Sequence, residues 1–183
     1  MSLSRVLVML MAISLSSIAE AAAAPPNPEP CKAPEFDQFD FWIGDWDVTS
    51  TQDGVERGTS HISQEMSGCV IWENWTSKGS GFFGKSYNTY NMNLQRWEQY
   101  WVDNEGGVIF FHGGLKDGVM DYWTDDLTQP DGTKLRRHLQ FFNLAPDKVR
   151  QFSQGSTDGG KTWKVEYDLT YTRHGAQTSS AKP

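Results

Sequence analysis

Turn-forming segments recur along almost the whole chain, and they leave little room for long helices. The segments are rich in glycine, proline, asparagine and aspartate: TQDG, SKGSG, NEGG, HGGLKDG, QPDG, LAPDK and STDGG. Between them lie short runs of aromatic and β-branched residues, which favour extended strands. Helical periodicity is almost absent. Frequent turns between such runs are typical of antiparallel hairpins, and therefore of an all-β sandwich or barrel.

The pattern predicts one all-β domain, a single antiparallel β-barrel of about ten strands. A short helical turn around residues 35–43 is expected before the first strand. A chain of 183 residues, 38% of them hydrophobic, is long enough to bury a sizeable core within one domain. The ten strands are expected near residues 46–52, 58–66, 69–77, 85–91, 96–103, 107–112, 119–125, 134–142, 148–155 and 163–173.

Both ends of the chain are expected to lie outside the barrel domain, which is predicted to span residues 36–174. Arg5 precedes an apolar run and the small residues of AEAAAA, so residues 1–24 are predicted to be a secretory signal peptide. That run is too short for a stable membrane span. Residues 25–35 are a proline-rich arm and residues 175–183 a disordered polar tail. The protein is therefore expected to be periplasmic or secreted, without membrane insertion.

The charge of the chain argues against a nucleic-acid partner. The formal net charge is −7 and the sequence pI is about 5.0. The closest approach to a basic cluster is formed by Lys134, Arg136 and Arg137. Binding through phosphates requires an extended basic face, so this class of protein is not expected.

The two cysteines, Cys31 and Cys69, are expected to form one disulfide because an exported chain matures in an oxidising compartment. The alternative is two separate thiols. Neither cysteine has a histidine at zinc-ligand spacing. The histidines show no metal-ligand spacing either: His61, His112, His138 and His174. The sequence therefore predicts no metal and no cofactor.

One turn resembles a known motif. STDGGKTW, residues 156–163, is similar to the Asp-box of sialidases and other β proteins. The resemblance implies that the Asp158 side chain binds turn backbone while Trp163 packs beneath the hairpin. A sialidase would need several such turns and a much longer propeller. A single copy on a short chain predicts a structural hairpin, with no glycosidase activity.

The stretch FDFWIGDWDV, residues 39–48, opens the first predicted strand, and YTR closes the last. Gly44 and Trp46 at the start, with Arg173 at the end, resemble the calycin superfamily of lipocalin-like barrels. The resemblance implies that Trp46 plugs the closed end of the barrel and that Arg173 stacks across its indole ring. The remaining aromatic residues of the stretch would then cover that end: Phe39, Phe41 and Trp42.

A wider resemblance covers nearly all of the chain after the predicted signal peptide. The ordered segments FDFWIGDWDV, GCVIWENW, GKSYNTYN, RWEQYWVDNEGG, VRQFSQGSTDGGKTW and YTR are similar to an exported bacterial family of unknown function. This resemblance implies a barrel and export, but no activity. Nitrobindin-like barrels are related in shape and hold haem, but GDWDVTSTQ lacks their glycine-rich signature.

Aromatic and polar side chains share faces on several predicted strands. Side chains alternate along a strand, so Glu73 lies on the same face as Trp75, and Gln99 on the same face as Trp101. Exposing several indole rings to water is unfavourable, which favours an inward, ligand-binding face. The alternative is a buried, fully hydrogen-bonded network that only fixes strand register. The residues expected in the lumen are Glu73, Trp75, Tyr90, Gln99, Trp101, Arg136 and His138, with Arg136 or Arg150 positioned to hold an anion.

Three functions fit this pattern. The first is an exported barrel, monomeric or homodimeric, that binds a small apolar or aromatic molecule. The second is a lyase or isomerase that acts on a small aromatic or oxygenated substrate. In it, desolvation raises the pKa of Glu73 so that Glu73 acts as general base, with His138 as a second catalytic candidate. The third is an envelope protein without a ligand. The nucleophile motif G-x-S-x-G is absent from the sequence.

Overall fold

A computed structural model describes residues 31–175. The predicted signal peptide, most of the proline-rich arm and nearly all of the predicted tail lie outside this range. No helix within the described range is long and apolar enough to cross a membrane. The part of the chain that the structure describes contains three short 3₁₀ helices, at Pro34–Asp37, Asp40–Trp42 and Met66–Gly68. The strands are β1 Gly44–Ser50, β2 Glu56–Glu65, β3 Val70–Ser77, β4 Phe83–Asn91, β5 Arg96–Asp103, β6 Val108–Lys116, β7 Val119–Trp123, β8 Leu127–Thr128, β9 Lys134–Ala145, β10 Lys148–Ser156 and β11 Lys164–Arg173.

Ten of these strands form a closed antiparallel barrel, as the sequence predicts. Strands β1 to β7 pair consecutively, β7 pairs with β9, and β9 continues through β10 to β11. The pairing of β11 with β1 then closes the ring, so the barrel itself has no free edge. The short strand β8 stands outside the ring and pairs with the beginning of β9. The helical turn expected before the first strand is also present, in the first two 3₁₀ helices.

Aromatic side chains from the chain segment before β1 plug one end of the barrel. Phe39 and Trp42 are fully buried, with their rings stacked at 4.9 Å between centroids. The indole Nε1 of Trp46 donates a 2.8 Å hydrogen bond to the Trp42 carbonyl oxygen, which fixes the plug to β1. From the barrel wall, Phe141 packs against both Phe39 and Trp42. This end of the lumen is therefore filled by the protein itself.

A cation–π contact joins the first and last strands of the barrel outside this plug. The Arg173 guanidinium lies 4.4 Å from the centre of the Trp46 ring. Its Nη1 also donates a 3.2 Å hydrogen bond to the carbonyl oxygen of Ile43. Gly44 has φ +144°, and a Cβ there would lie 2.1 Å from Arg173 Nη1. Glycine thus provides both the backbone conformation and the space for the arginine.

The disulfide predicted between Cys31 and Cys69 is confirmed. It connects the beginning of the described chain to the residue before β3, with the two Cα atoms 4.9 Å apart. The segment held between the two cysteines contains the aromatic plug, together with β1 and β2. The bridge therefore anchors the N-terminal 3₁₀ segment to the barrel wall.

The turn that resembles an Asp-box is organised around the Asp158 carboxylate. Its Oδ1 accepts hydrogen bonds from the Ser156 hydroxyl at 2.9 Å and from the backbone amides of Lys161 and Thr162 at 3.0 and 2.9 Å. Its Oδ2 accepts a 2.6 Å hydrogen bond from the Thr162 hydroxyl. The Trp163 indole donates to the Gly160 carbonyl oxygen at 3.1 Å. One side chain thus holds the connection between β10 and β11.

Candidate functional site

A cavity of about 290 Å³ lies in the lumen, near the end of the barrel opposite the aromatic plug. Its position follows from strand direction, because the lining residues come from the end of β3, the end of β5 and the beginning of β6. The apolar part of its wall consists of Trp75, Phe82, Trp101, Ile109, Phe111 and Leu169. The polar part consists of Glu73, Gln99, Asp103, Gln151, Tyr167 and Tyr171. A mainly apolar wall with a few polar groups is typical of small-molecule sites.

Glu73 is the most deeply buried acid in this wall, with an exposed fraction of 3%. It lies at the centre of β3, and serines on the two neighbouring strands point at its carboxyl group. The Ser60 hydroxyl donates to Oε1 at 3.1 Å and the Ser86 hydroxyl donates to Oε2 at 2.9 Å. Burial raises the pKa of Glu73 to about 7, because desolvation outweighs the two serine hydrogen bonds that lower it.

The hydrogen-bond network continues from Ser86 around the barrel wall. Asn88 Nδ2 donates to the Ser86 hydroxyl at 3.0 Å and to the Ile71 carbonyl oxygen at 3.1 Å. Gln99 Nε2 donates to Asn88 Oδ1 at 2.7 Å. Three adjacent strands, β3, β4 and β5, are thereby joined by inward-facing polar side chains. The register-fixing network that the sequence left open as an alternative is therefore present, and its members Glu73 and Gln99 also line the cavity.

Across the lumen, β10 and β11 contribute a second polar pair. The Tyr171 hydroxyl donates a 2.7 Å hydrogen bond to Gln151 Oε1, and both side chains are buried. Burial raises the pKa of Tyr171 well above its ordinary value, so the phenol stays neutral at physiological pH. This pair gives the cavity a neutral hydrogen-bonding group on the wall opposite β3.

Asp103 is the other acid of the cavity wall, and its carboxylate stabilises the turn between β5 and β6. Its carboxylate accepts hydrogen bonds from Trp101 Nε1 at 3.1 Å and from the backbone amides of Gly107 and Glu105 at 2.8 and 3.0 Å. Burial alone would raise the pKa of Asp103, but the hydrogen bonds from Gly107, Trp101 and Glu105 outweigh it and lower the pKa. Asp103 is therefore ionised at neutral pH and holds the β5–β6 turn in place.

Four of the residues predicted for the lumen line the cavity together: Glu73, Trp75, Gln99 and Trp101. Tyr90 lies elsewhere. Its ring packs edge-on against Phe36 and Trp97, at centroid distances of 5.8 and 6.2 Å, towards the plugged end. Tyr90 thus contributes to the core around the plug, and the cavity wall does not include it.

The structure corrects the predicted orientation of β9. Leu139 and Phe141 are almost completely buried in the core, so the alternating positions Arg136 and His138 face outwards. Arg136 forms an ion pair of 2.8 Å with Asp126 on the outer surface. The sequence grouped the right residues on one face of this strand, but the face points away from the lumen.

Arg150 on β10 also faces outwards, for the same reason. Its strand neighbours Val149 and Gln151 are buried inside the barrel. The guanidinium of Arg150 donates two hydrogen bonds of 2.8 Å to the carboxylate of Asp168 on β11. In this arrangement Arg150 does not reach a ligand in the lumen.

His138 belongs to an aromatic cluster on the outer face of the barrel. Its ring stacks on Trp123 with 3.7 Å between centroids and an interplanar angle of 9°. Its Nε2 forms a hydrogen bond with Asp121 Oδ1, and its Nδ1 lies 3.1 Å from Gln154 Nε2. Trp163 packs edge-on against Trp123 at 5.6 Å. The barrel wall separates this histidine from Glu73, so the two predicted catalytic residues do not form one site.

Sequence reasoning did not assign several residues of the site, among them Ser60, Phe82, Gln151 and Tyr167. Strand alternation is the signal that could have found Ser60 and Gln151, since each lies two residues from a buried apolar residue of its own strand, Ile62 and Val149 respectively. No group of three or more His, Cys, Asp or Glu side chains within residues 31–175 is arranged to hold a metal ion.

No protein-family model matches the chain. No curated protein matches its sequence significantly either.

Proposed function

We propose that this barrel is an exported binding protein for a small, mainly apolar or aromatic molecule held in the lumen. One observation carries the proposal: the cavity of about 290 Å³ combines aromatic walls with a few polar groups at fixed positions. The disulfide between Cys31 and Cys69 supports export, because such bonds persist in oxidising compartments. Membership of the exported bacterial family named above is part of the same proposal.

The two ends of the barrel support a binding role in different ways. Phe39 and Trp42 close one end completely, so a ligand enters from the other end. There Phe82 and Trp101 face each other with 6.4 Å between ring centroids, and both line the cavity. Burying an apolar molecule between such rings is favourable by about 25 cal/mol per Å² of apolar surface removed from water. The polar groups of Glu73 and Gln99 then orient whatever polar atom the ligand carries.

A second candidate function is acid–base catalysis in the same cavity. The observation that favours it is the raised pKa of Glu73, about 7, for a side chain that lines the cavity. A carboxylate near its pKa at neutral pH is suited to remove a proton from a bound substrate, as a lyase or isomerase requires. Because His138 lies on the outer face, Glu73 would have to serve as both acid and base.

Binding can be tested with the neutral fluorescent probe N-phenylnaphthylamine. We expect saturable binding to the wild-type protein, and loss of that binding in Ile109→Trp, which fills the cavity from β6. Phe110→Trp is the matched control, because it places the same ring on the outer face of the same strand, where Phe110 is 39% exposed. Equal binding by both variants would exclude the lumen as the binding site.

Native mass spectrometry of protein isolated gently from the exported fraction provides an independent test. A small-molecule adduct that disappears on denaturation would identify the natural ligand by its mass. Conversion of such a molecule by wild-type protein, but not by Glu73→Gln, would favour the enzyme over the carrier. An adduct that survives in Glu73→Gln without any turnover would favour the carrier.

A further inference from the structure

The charges inside the cavity are all of one sign. Its wall carries two acidic side chains, Glu73 and Asp103, and among the residues that line it within the described range there is no Lys, Arg or His. The basic residues expected in the lumen instead lie on the outer side of the barrel wall, each beside an acidic partner: Arg136 with Asp126, His138 with Asp121, and Arg150 with Asp168. A carboxylate ligand would therefore meet only negative charge in this cavity.

The aromatic rings of the wall also favour a cationic ligand. The faces of indole, phenol and phenyl rings carry negative electrostatic potential and attract cations. Six such rings line the cavity: Trp75, Phe82, Trp101, Phe111, Tyr167 and Tyr171. A cavity that combines aromatic walls with acidic groups favours an organic cation, whereas one built for a fatty acid or another organic anion needs at least one basic group.

We propose that the ligand of this lumen is an organic amine, whose ammonium group pairs with Glu73 and whose apolar part lies between Trp75 and Trp101. The inference rests on the proposed binding function and specifies its ligand class. It reverses the expectation from the sequence that an arginine would hold an anion in the lumen.

Glu73 is better suited than Asp103 to receive the ammonium group. Asp103 is only half-buried and accepts three hydrogen bonds, which hold Trp101 and the β5–β6 turn, whereas Glu73 is buried and accepts two. Each oxygen of Glu73 accepts one hydrogen bond, from Ser60 or Ser86, and a carboxylate oxygen has a second acceptor position. No cationic side chain in residues 31–175 pairs with Glu73. A buried carboxylate without a counter-ion is costly, and a bound ammonium ion would remove that cost.

The ionisation of Glu73 makes the proposal sensitive to pH. The groups that face it are the hydroxyls of Ser60 and Ser86 from β2 and β4, and the phenols of Tyr167 and Tyr171 from β11. These hydroxyls and phenols stay neutral between pH 6 and 8, and Asp103, the other acid of the wall, stays ionised there. Because the pKa of Glu73 is about 7, its ionised fraction rises about tenfold between pH 6 and 8. The affinity for an ammonium ligand should rise by the same factor.

Three probes with one aromatic ring and different head groups test the proposal: phenethylamine, phenethyl alcohol and phenylpropionate. Binding is followed by tryptophan fluorescence and by calorimetry on the full mature protein. We expect the amine to bind at least tenfold more tightly than the alcohol at pH 7.5, and phenylpropionate to bind most weakly. Glu73→Gln should bring the ratio of amine to alcohol affinity close to one. Asp126→Asn, which neutralises a carboxylate on the outer surface, should leave the ratio unchanged.

The pH dependence in wild-type protein keeps the test independent of how well Glu73→Gln folds. Amine affinity should rise about tenfold from pH 6 to 8, while alcohol affinity stays constant. Equal binding of amine and alcohol, or tighter binding of phenylpropionate, would overturn the amine proposal and leave the binding function standing. Saturable binding of N-phenylnaphthylamine without binding of the three probes would likewise overturn the amine proposal and leave the binding function standing. Failure of all four compounds to bind would overturn both proposals.

Discussion

The Ser86 hydroxyl donates a 2.9 Å hydrogen bond to the Glu73 carboxyl group, across the adjacent strands β3 and β4 inside the barrel. Ser60, on the opposite neighbouring strand, donates to the other oxygen. A buried acid in this protein is therefore held by two neutral hydroxyl groups. Since hydroxyl groups offset only part of the cost of burying a negative charge, the protonation of Glu73 is coupled to folding.

Stability should consequently decrease as the pH rises towards neutrality. The folded-state pKa of Glu73, about 7, exceeds the ordinary value of 4.5, so the folded protein holds a proton that the unfolded chain has released. Between these two values the free energy of unfolding falls by up to about 1.4 kcal/mol per pH unit, or about 3 kcal/mol in total. Urea unfolding of wild-type protein and Glu73→Gln at pH 5, 6, 7 and 8 measures this contribution as the difference between the two curves.

Glu105→Gln is the control for this measurement, because Glu105 is exposed in the β5–β6 turn. Its unfolding free energy should follow the wild-type pH dependence. If Glu73→Gln also follows that dependence, the Glu73 carboxyl group does not have a raised pKa in the folded protein.

The overall fold could be predicted because its signals are local. Each hairpin of the barrel is marked by glycine, asparagine or aspartate between strand-forming runs, and these residues act within a few positions of themselves. Strand β8, Leu127–Thr128, was not predicted because two residues carry no periodicity. Closure of the ring depends on the pairing of β11 with β1, which the resemblance to known barrels implied and periodicity alone does not.

The candidate site was predictable only in part. Alternation on β3 and β5 correctly grouped Glu73 with Trp75 and Gln99 with Trp101. On β9, alternation separates an apolar face with Leu139 and Phe141 from a polar face with Arg136 and His138, and the apolar face is the inner one. The expectation of polar ligand-binding groups in the lumen selected the wrong face. His138 is buried at 8% exposure by contacts with Trp123 and other side chains on the outer face, which depend on tertiary packing.

Gly44→Ala should destabilise the closed end of the barrel. Alanine at φ +144° is strained, and its Cβ would displace the Arg173 guanidinium from the Trp46 ring. Backbone strain of this kind costs about 1–3 kcal/mol. Thermal or urea unfolding measures the loss, with Gly114→Ala as the matched control, because a Cβ at Gly114 meets no atom within 4 Å.

A double-mutant cycle with Arg173→Ala tests whether the collision with Arg173 causes part of the destabilisation by Gly44→Ala. Part of the cost of Gly44→Ala arises from the collision with the arginine, so that cost should be smaller when Arg173 is already absent. Arg173→Ala alone should lose the cation–π contact, about 0.5–2 kcal/mol, together with the hydrogen bond to Ile43. Strictly additive effects of the two substitutions would contradict a direct contact between the residues.

Reduction of the disulfide should lower stability and loosen the aromatic plug. Cys31 and Cys69 are separated by 38 positions, and closing a loop of this length stabilises a protein by about 3–4 kcal/mol in the chain-entropy description. Melting temperatures with and without dithiothreitol measure the effect. A Cys31→Ala/Cys69→Ala variant should match the reduced protein and should not respond to the reductant; a response there would show that the reductant acts on something other than the bridge.

Asp158→Ala should loosen the β10–β11 connection locally and leave the barrel folded. The Asp158 carboxylate accepts hydrogen bonds from both the hydroxyl and the backbone amide of Thr162, and these, with the Ser156 hydroxyl, lower its pKa well below 3.8. Because the pKa of Asp158 is lowered in the folded protein, its ionised carboxylate stabilises the turn at pH values above the ordinary pKa of aspartate. This stabilisation is lost only as the pH falls below that value. Hydrogen exchange should therefore speed up across residues 156–163 in the variant at neutral pH. Asp131→Ala, in the turn before β9, should leave that segment protected; unchanged exchange in Asp158→Ala would show that the backbone of the turn holds itself without the carboxylate.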